Sequence, residues 1–263
     1  MKRGPDETRG FTPRKRLGQH FLRDPNIVRK IVAAVQPVPG AQVVEIGPGR
    51  GALTSELLAR FPDLIAIEVD ERAVDELREM HPSLNVRPSD VLSVDWAVIA
   101  AAERPVYVVG NLPYNITTPI LFALLDGAPS VVEAVVMMQL EVARRLVARP
   151  RSKDYGILSV AVQLGAQPDL LFRVSRNVFE PKPAVESAVV RVAFDRGDRP
   201  RAVDEQFLRT VIRRAFNQRR KTLRNSLSSL VPEGVSLPER WSRARAEELS
   251  PPEFVELARF LMP

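Results

Sequence analysis

Runs of Val and Ile that alternate with amphipathic stretches constrain this fold more than any other feature. Residues 42–46, 64–69, 85–87, 106–110 and 131–138 read as strands, each bounded by Gly, Pro, Asp or Asn. Helical spacing fills the gaps at 53–59, 73–80, 96–102 and 116–125, after an opening helix that Asp24-Pro25-Asn26 starts and Pro37 ends. Strands that are apolar on both faces are covered on both faces, so the pattern predicts an α/β fold with a mostly parallel sheet. A helix is expected at 141–148, an exposed loop at 149–153 and a late strand at 187–194. Residues 157–164 suit either state; a crossover helix is preferred because a strand-like 170–174 follows.

Asp195 to Pro200 is charged and turn-rich and is taken as a boundary. Beyond it only helices are expected, at 204–216, 221–230, 243–249 and 252–260. The expected organisation is a basic flexible tail at 1–16, an α/β domain at 17–195 and an all-helical domain at 196–263. Met1 to Arg16 lacks the apolar core of a secretory signal, and no run approaches the ~18 apolar residues of a membrane span, so a cytoplasmic location is expected.

The chain carries a net charge of +6 on a body of ordinary hydrophobic content, 45%, which makes a polyanion a plausible partner. The excess clusters. Arg209, Arg213, Arg214, Arg219, Arg220, Lys221 and Arg224 fall within one stretch that has no acid.

Two strand ends carry chemistry. Glu45-Ile46-Gly47-Pro48-Gly49-Arg50-Gly51 is a buried strand running into a glycine turn that opens a helix, where backbone can approach a ligand closely. Glu68 closes the next strand and can accept both hydroxyls of a ribose; Asp90, after the third, can accept an adenine amino group. Gly47-x-Gly49-x-x-Ala52 also satisfies the dinucleotide fingerprint, so the turn alone leaves nicotinamide cofactors open. Glu45 favours S-adenosylmethionine, because an acid two before the first glycine helps position the methionine end of that cofactor.

The second site follows Val106 to Gly110. An adenine amino group is a poor nucleophile because its lone pair is delocalised into the ring. Acceptors on its two hydrogens would free that pair, and Asn111 can offer a side-chain oxygen and Leu112 a backbone carbonyl, with Pro113 fixing the turn. Tyr114 offers a stacking face. A base taken out of a duplex costs a few kcal/mol, while stacking returns about 1–3 kcal/mol per ring. Phe179, between Asn177 and Pro183, is the candidate for a second ring. Positioning and electrostatics suffice for such a transfer, so neither a general base nor a metal is expected.

Leu17-Gly18-Gln19-His20-Phe21-Leu22, Glu45-Ile46-Gly47-Pro48-Gly49, Asn111-Leu112-Pro113-Tyr114-Asn115, Gln139-Leu140-Glu141-Val142-Ala143, Tyr155-Gly156 and Phe179-x-Pro181-x-Pro183 occur in one order. In that order the chain resembles the ribosomal RNA adenine dimethyltransferases over roughly residues 11–230. The resemblance implies a Rossmann-like class I methyltransferase sheet with a small C-terminal helical domain. It implies dimethylation of the N6 groups of two adjacent adenosines in the 3′-terminal hairpin of 16S rRNA during small-subunit biogenesis, by an enzyme expected to be monomeric.

By matching position it implies cofactor contacts from His20, Leu22, Gly47, Glu68, Asp90 and Asn111; Gln19, Glu45 and Gly49 are expected beside them. It implies base contacts from Asn111, Leu112, Tyr114 and Phe179. Arg213, Arg214, Arg219, Arg220, Lys221 and Arg224 are expected to meet RNA. Thr117 and Ala184 depart mildly from the family pattern. Relatives that methylate 23S rRNA and confer macrolide resistance share most motifs, but Ala215 to Leu227 resembles the small-subunit branch. A non-catalytic assembly factor on the same fold is the other alternative.

Overall fold

The computed structural model describes residues 20–100, 104–128, 130–194 and 204–262. The expected tail at 1–16, Gln19, the end of the helix at 101–102 and the boundary segment 195–200 lie outside them.

The strands are β1 (Phe21–Leu22), β2 (Gln42–Ile46), β3 (Ile65–Glu68), β4 (Asn85–Pro88), β5 (Val106–Asn111), β6 (Val131–Gln139), β7 (Ala166–Val174), β8 (Phe179–Glu180) and β9 (Ser187–Phe194). The helices are α1 (Pro25–Ala34), α2 (Thr54–Arg60), α3 (Glu71–Met80), α4 (Trp96–Ile99), α5 (Thr117–Asp126), α6 (Leu140–Leu146), α7 (Ile157–Gln163), α8 (Glu205–Asn217), α9 (Leu223–Ser226), α10 (Glu239–Ser242) and α11 (Pro251–Leu261). Seven strands form one sheet in the order β4-β3-β2-β5-β6-β9-β7, and β1 pairs with β8 in a separate ribbon. β4 through β6 are parallel neighbours; β9 runs antiparallel to both β6 and β7.

Alternation along the strands divides the core. Val44, Ile46, Val108 and Val136 face one layer with α5 and α6, while Val43, Tyr107, Val109 and Val135 face the other with α1, α2 and α3. Helix starts follow local chemistry. Asp24 caps α1 by accepting from Asn26 N at 2.8 Å, with Pro25 as its first residue; Asp204 caps α8 in the same way, accepting from Gln206 N at 2.7 Å. The strand order reverses between β2 and β5, so β2, β3 and β5 end at a shared crevice.

The expected crossover helix is present as α7. Its β-branched residues are helical because Val160 and Val162 are buried, and the Ser159 hydroxyl donates to the Arg145 carbonyl at 2.6 Å. β7 begins at Ala166, four residues before the expected 170; Pro168 is tolerated because β7 is an edge strand.

Two helices expected near the C-terminus are not continuous. In place of 221–230 stand α9 and a 3-10 turn at Ser228–Leu230. Within 243–249 only a 3-10 turn at Ala246–Glu248 is helical, α10 having ended at Ser242. Thr222 and Arg245 form an antiparallel bridge, and Leu223 N donates to the Ala244 carbonyl at 2.8 Å. Those extended residues spend backbone groups that a helix would need.

The C-terminal helices share their core with residues from before the boundary segment. Ala148, Tyr155 and Val160 pack with Val211, Ile212, Trp241, Phe254 and Leu261, and the Tyr155 hydroxyl donates to the Leu249 carbonyl at 2.8 Å. Among the described residues no helix is long and apolar enough to cross a membrane.

Candidate active site

The crevice at the ends of β2, β3 and β5 is walled by the glycine turn, the end of β3, Ser89 to Val91, Asn111 to Ile116 and the β1 segment. Its volume is about 990 Å³ counting the open mouth, enough for a nucleoside-sized ligand.

Gly47 and Gly49 adopt φ of +63° and +53°, conformations that L side chains rarely take. A Cβ on Gly49 would also lie 3.1 Å from the Phe21 ring. On β5, a Cβ on Gly110 would lie 2.4 Å from the Ile46 carbonyl oxygen, so only glycine lets β5 lie so close to β2 at the crevice.

Glu68 is 6% exposed and lines the crevice. Its Oε1 accepts from Val69 N and Asp70 N, each at 2.9 Å, and its Oε2 accepts from Gly49 N at 3.1 Å. Burial pushes this carboxyl above its ordinary range, and the three backbone donors partly offset that. Asp90 lines the same crevice, exposed, with Oδ1 held by Leu92 N at 3.0 Å.

Glu45 is placed differently from the expectation. It is 1% exposed and does not line the crevice; Thr54 Oγ1 donates to its Oε2 at 2.8 Å from the start of α2. Burial pushes its pKa up to about 8. Its side chain ties the end of β2 to the start of α2.

The Asn111 amide is oriented by a residue far away in sequence. Its Nδ2 donates to the His20 carbonyl at 2.9 Å, and since a carbonyl can only accept, Oδ1 is the remaining end. That oxygen is buried and, among the described residues, has no hydrogen-bond partner. Leu112 is 1% exposed and donates its N–H to the Met137 carbonyl at 3.0 Å. The turn closes on Pro113: Ile116 N and Thr117 Oγ1 both donate to its carbonyl, which leaves the Leu112 carbonyl out of the turn's own bonding.

The Tyr114 ring lies 5.3 Å from the His20 ring, tilted by 32°, and its hydroxyl lies 2.5 Å from Ser187 Oγ. His20 is fixed in turn, with Nδ1 2.8 Å from the Pro181 carbonyl. Leu22 lines the crevice and pairs with Phe179 in the β1–β8 ribbon. Phe179 itself is not brought to the crevice. It is 5% exposed and packed with Leu22 and Val174 in the core, because the ribbon pairing turns it inward.

The basic stretch is divided. Arg213, Arg214, Arg220, Lys221 and Arg224 are exposed. Arg219 is engaged internally: its Nε donates to Glu247 at 2.7 Å and its Nη2 to the Ser152 carbonyl at 3.2 Å. Arg209 pairs with Asp126 at 2.9 Å. Sequence reasoning passed over Phe21 as the contact above Gly49, although it stood between two residues singled out. It also missed Ser187, which no local pattern marks.

A sheet in this order, a glycine turn and successive acids at strand ends define a class I methyltransferase fold. Beside these stands a buried amide acceptor in an Asn-Leu-Pro-Tyr turn. The comparisons agree. The family model described as ribosomal RNA adenine dimethylase matches residues 10–261. A Salinibacter ruber protein named ribosomal RNA small subunit methyltransferase A is 50% identical over 253 residues, 95% of this chain and 86% of that protein. A protein of the same name from Moorella thermoacetica is 43% identical, covering 96% and 94%.

Among solved structures, a dimethyladenosine transferase from Plasmodium falciparum superposes with a TM-score of 0.76 at 25% identity, covering 90% of this chain and 95% of that one. The 23S rRNA methyltransferase ErmE gives 0.68 at 28% identity, covering 92% and 99%. The chain belongs to the ribosomal RNA adenine dimethylase family. The nicotinamide alternative left open by the glycine turn closes with that membership.

Proposed function

We propose that the protein dimethylates the N6 amino groups of two adjacent adenosines in the 3′-terminal hairpin of 16S rRNA, in the cytoplasm, during small-subunit assembly. The observation that carries this reading is the buried, unpartnered Asn111 Oδ1, with its Nδ2 committed to His20. An unpaired buried acceptor costs about 1–3 kcal/mol, and a substrate N–H would relieve that cost.

The residues fit S-adenosylmethionine, which when bound supplies the electrophilic methyl group. Glu68 would accept from the ribose hydroxyls, giving up part of its hold on Gly49 N, and Asp90 from the adenine amino group. The glycine turn leaves its backbone open to close approach, and His20 and Leu22 of the β1 segment cover the crevice from above. On the substrate side, Asn111 Oδ1 and the Leu112 carbonyl accept the hydrogens of the target amine, and the Tyr114 ring carries the base. No residue need remove a proton before transfer, because the amine becomes strongly acidic only once methylated.

Residues 17–195 are assigned to this chemistry and 196–263, with the tail at 1–16, to contact with the subunit, the exposed cations of α8 and α9 meeting phosphate. The relatives named for the small subunit are 42–50% identical, against 28% for the large-subunit enzyme, which favours the small-subunit substrate. The test is methyl transfer to small subunits from cells lacking this protein, with the modified nucleotides mapped. Methyl groups on adjacent adenosines of the 3′ hairpin are expected. Modification of 23S rRNA alone, or none with intact protein, would overturn the assignment.

A further inference from the structure

We propose that Ser187 is a positioning residue, whose hydroxyl sets the plane of the Tyr114 ring on which the target adenine stacks. This rests on the function proposed above. Ser187 begins β9 and is 0% exposed, so its hydroxyl is out of reach of any ligand in the crevice. It lies instead 2.5 Å from the Tyr114 hydroxyl, linking the turn after β5 to the antiparallel half of the sheet.

Tyr114 needs such an anchor. It stands in an irregular turn between β5 and α5, whose bonds fix Pro113 and Leu112 but leave the ring to rotate about its own side-chain torsions. One face is met by His20 at 5.3 Å between centroids, too close to admit a base between the rings, since two stacking gaps of about 3.4 Å would be required. The base is left the other face, and its plane follows the tether at the hydroxyl. Burial pushes the Tyr114 phenol above its ordinary range, which favours the protonated form. Phe179 is packed in the core and does not line the crevice.

The test uses the full chain with small subunits lacking the modification, comparing Ser187→Ala, Tyr114→Phe and the double variant. Ser187→Ala is expected to lower kcat by about 3–10-fold, the range of one net hydrogen bond, with unchanged affinity for S-adenosylmethionine by calorimetry. Tyr114→Phe, which keeps the ring and loses the tether, should lose a similar factor, and the double variant no more than either alone. A 2-aminopurine placed at the target position should be quenched less by Ser187→Ala than by the parent.

Losses that multiply in the double variant, or a Ser187→Ala protein with parental kcat and quenching, would overturn the positioning role while leaving the function intact. A parent protein inactive on these subunits would instead defeat the function. If Ser187→Ala loses its thermal transition, Tyr114→Phe decides alone: a lowered kcat supports the tether and a parental kcat overturns it.

Discussion

The crevice and the C-terminal helical region treat their polar groups in opposite ways. In the crevice several polar side chains are held by backbone or by a fixed neighbour. Glu68 takes three N–H groups, His20 is held by Pro181, Tyr114 by Ser187, and the buried Asn111 Oδ1 has no partner among the described residues. In the helical region Arg219 and Arg209 are committed to carboxylates, while Arg213, Arg214, Arg220, Lys221 and Arg224 reach solvent with no ion pair among the described residues. An exposed cation costs nothing to leave unpaired, whereas a buried amide oxygen does. One unpartnered atom in the crevice therefore says more about chemistry than several in the helices, and the helical cations speak to affinity.

Removing the lone acceptor is the strongest test of that contrast. Asn111→Ala should lower kcat by about 10²–10³-fold, the range seen when one preorganised electrostatic partner is lost, with thermal stability kept. Parental activity in single-turnover methyl transfer would defeat the role given to Oδ1.

The helical cations are tested through salt. Five phosphate contacts at a slope of about 0.7–0.9 each predict a fall in RNA affinity of about 10²–10³-fold between 50 and 200 mM. Replacing Arg213, Arg214, Arg220, Lys221 and Arg224 with Ala should flatten that response. Arg219→Ala should leave the slope alone and lower Tm, at about 2–4 °C per kcal/mol lost. A changed slope in Arg219→Ala would erase the division drawn within the stretch.

Glu68→Gln should weaken S-adenosylmethionine binding by about 10–100-fold, as a charged hydrogen bond of about 1.5–3 kcal/mol is lost. Calorimetry reads it directly, and an unchanged affinity would remove Glu68 from the cofactor site.

A titration reads Glu45 by stability and not by ligand binding. Burial pushes the Glu45 pKa up to about 8 from 4.5, so the folded state holds a proton that the unfolded chain releases. Stability from this group is complete below pH 4.5 and falls as pH rises toward 8. Between pH 5 and 8.5 the Tm of the parent protein should fall more steeply than that of Glu45→Gln. Parallel curves would show that Glu45 is ionised in the fold.

Local pattern made much of this legible. The five apolar runs from 42 to 138 became β2 to β6, and the glycine turn and the Asn-Leu-Pro-Tyr turn are where β2 and β5 end. The helices expected at 221–230 and 243–249 failed for a physical reason: Thr222 pairs with Arg245, and tertiary hydrogen bonds outweighed helical spacing. Phe179 is not brought to the crevice, and an aromatic just before a proline loop reads the same whether it faces a ligand or, as here, the core.

The sequence by itself determined the parallel sheet, the crevice at its strand ends and the residue types that converge there, because period, glycine and capping chemistry act over a few positions. Only the tertiary structure decided which atoms are free. The orientation of Asn111 depends on His20, 91 positions away, and that of Tyr114 on Ser187, 73 away. Arg219 is distinguished from its neighbours by Glu247, 28 away. A hydrogen bond between distant residues leaves no periodic trace in the chain, and it is such bonds that leave the Asn111 oxygen without a partner.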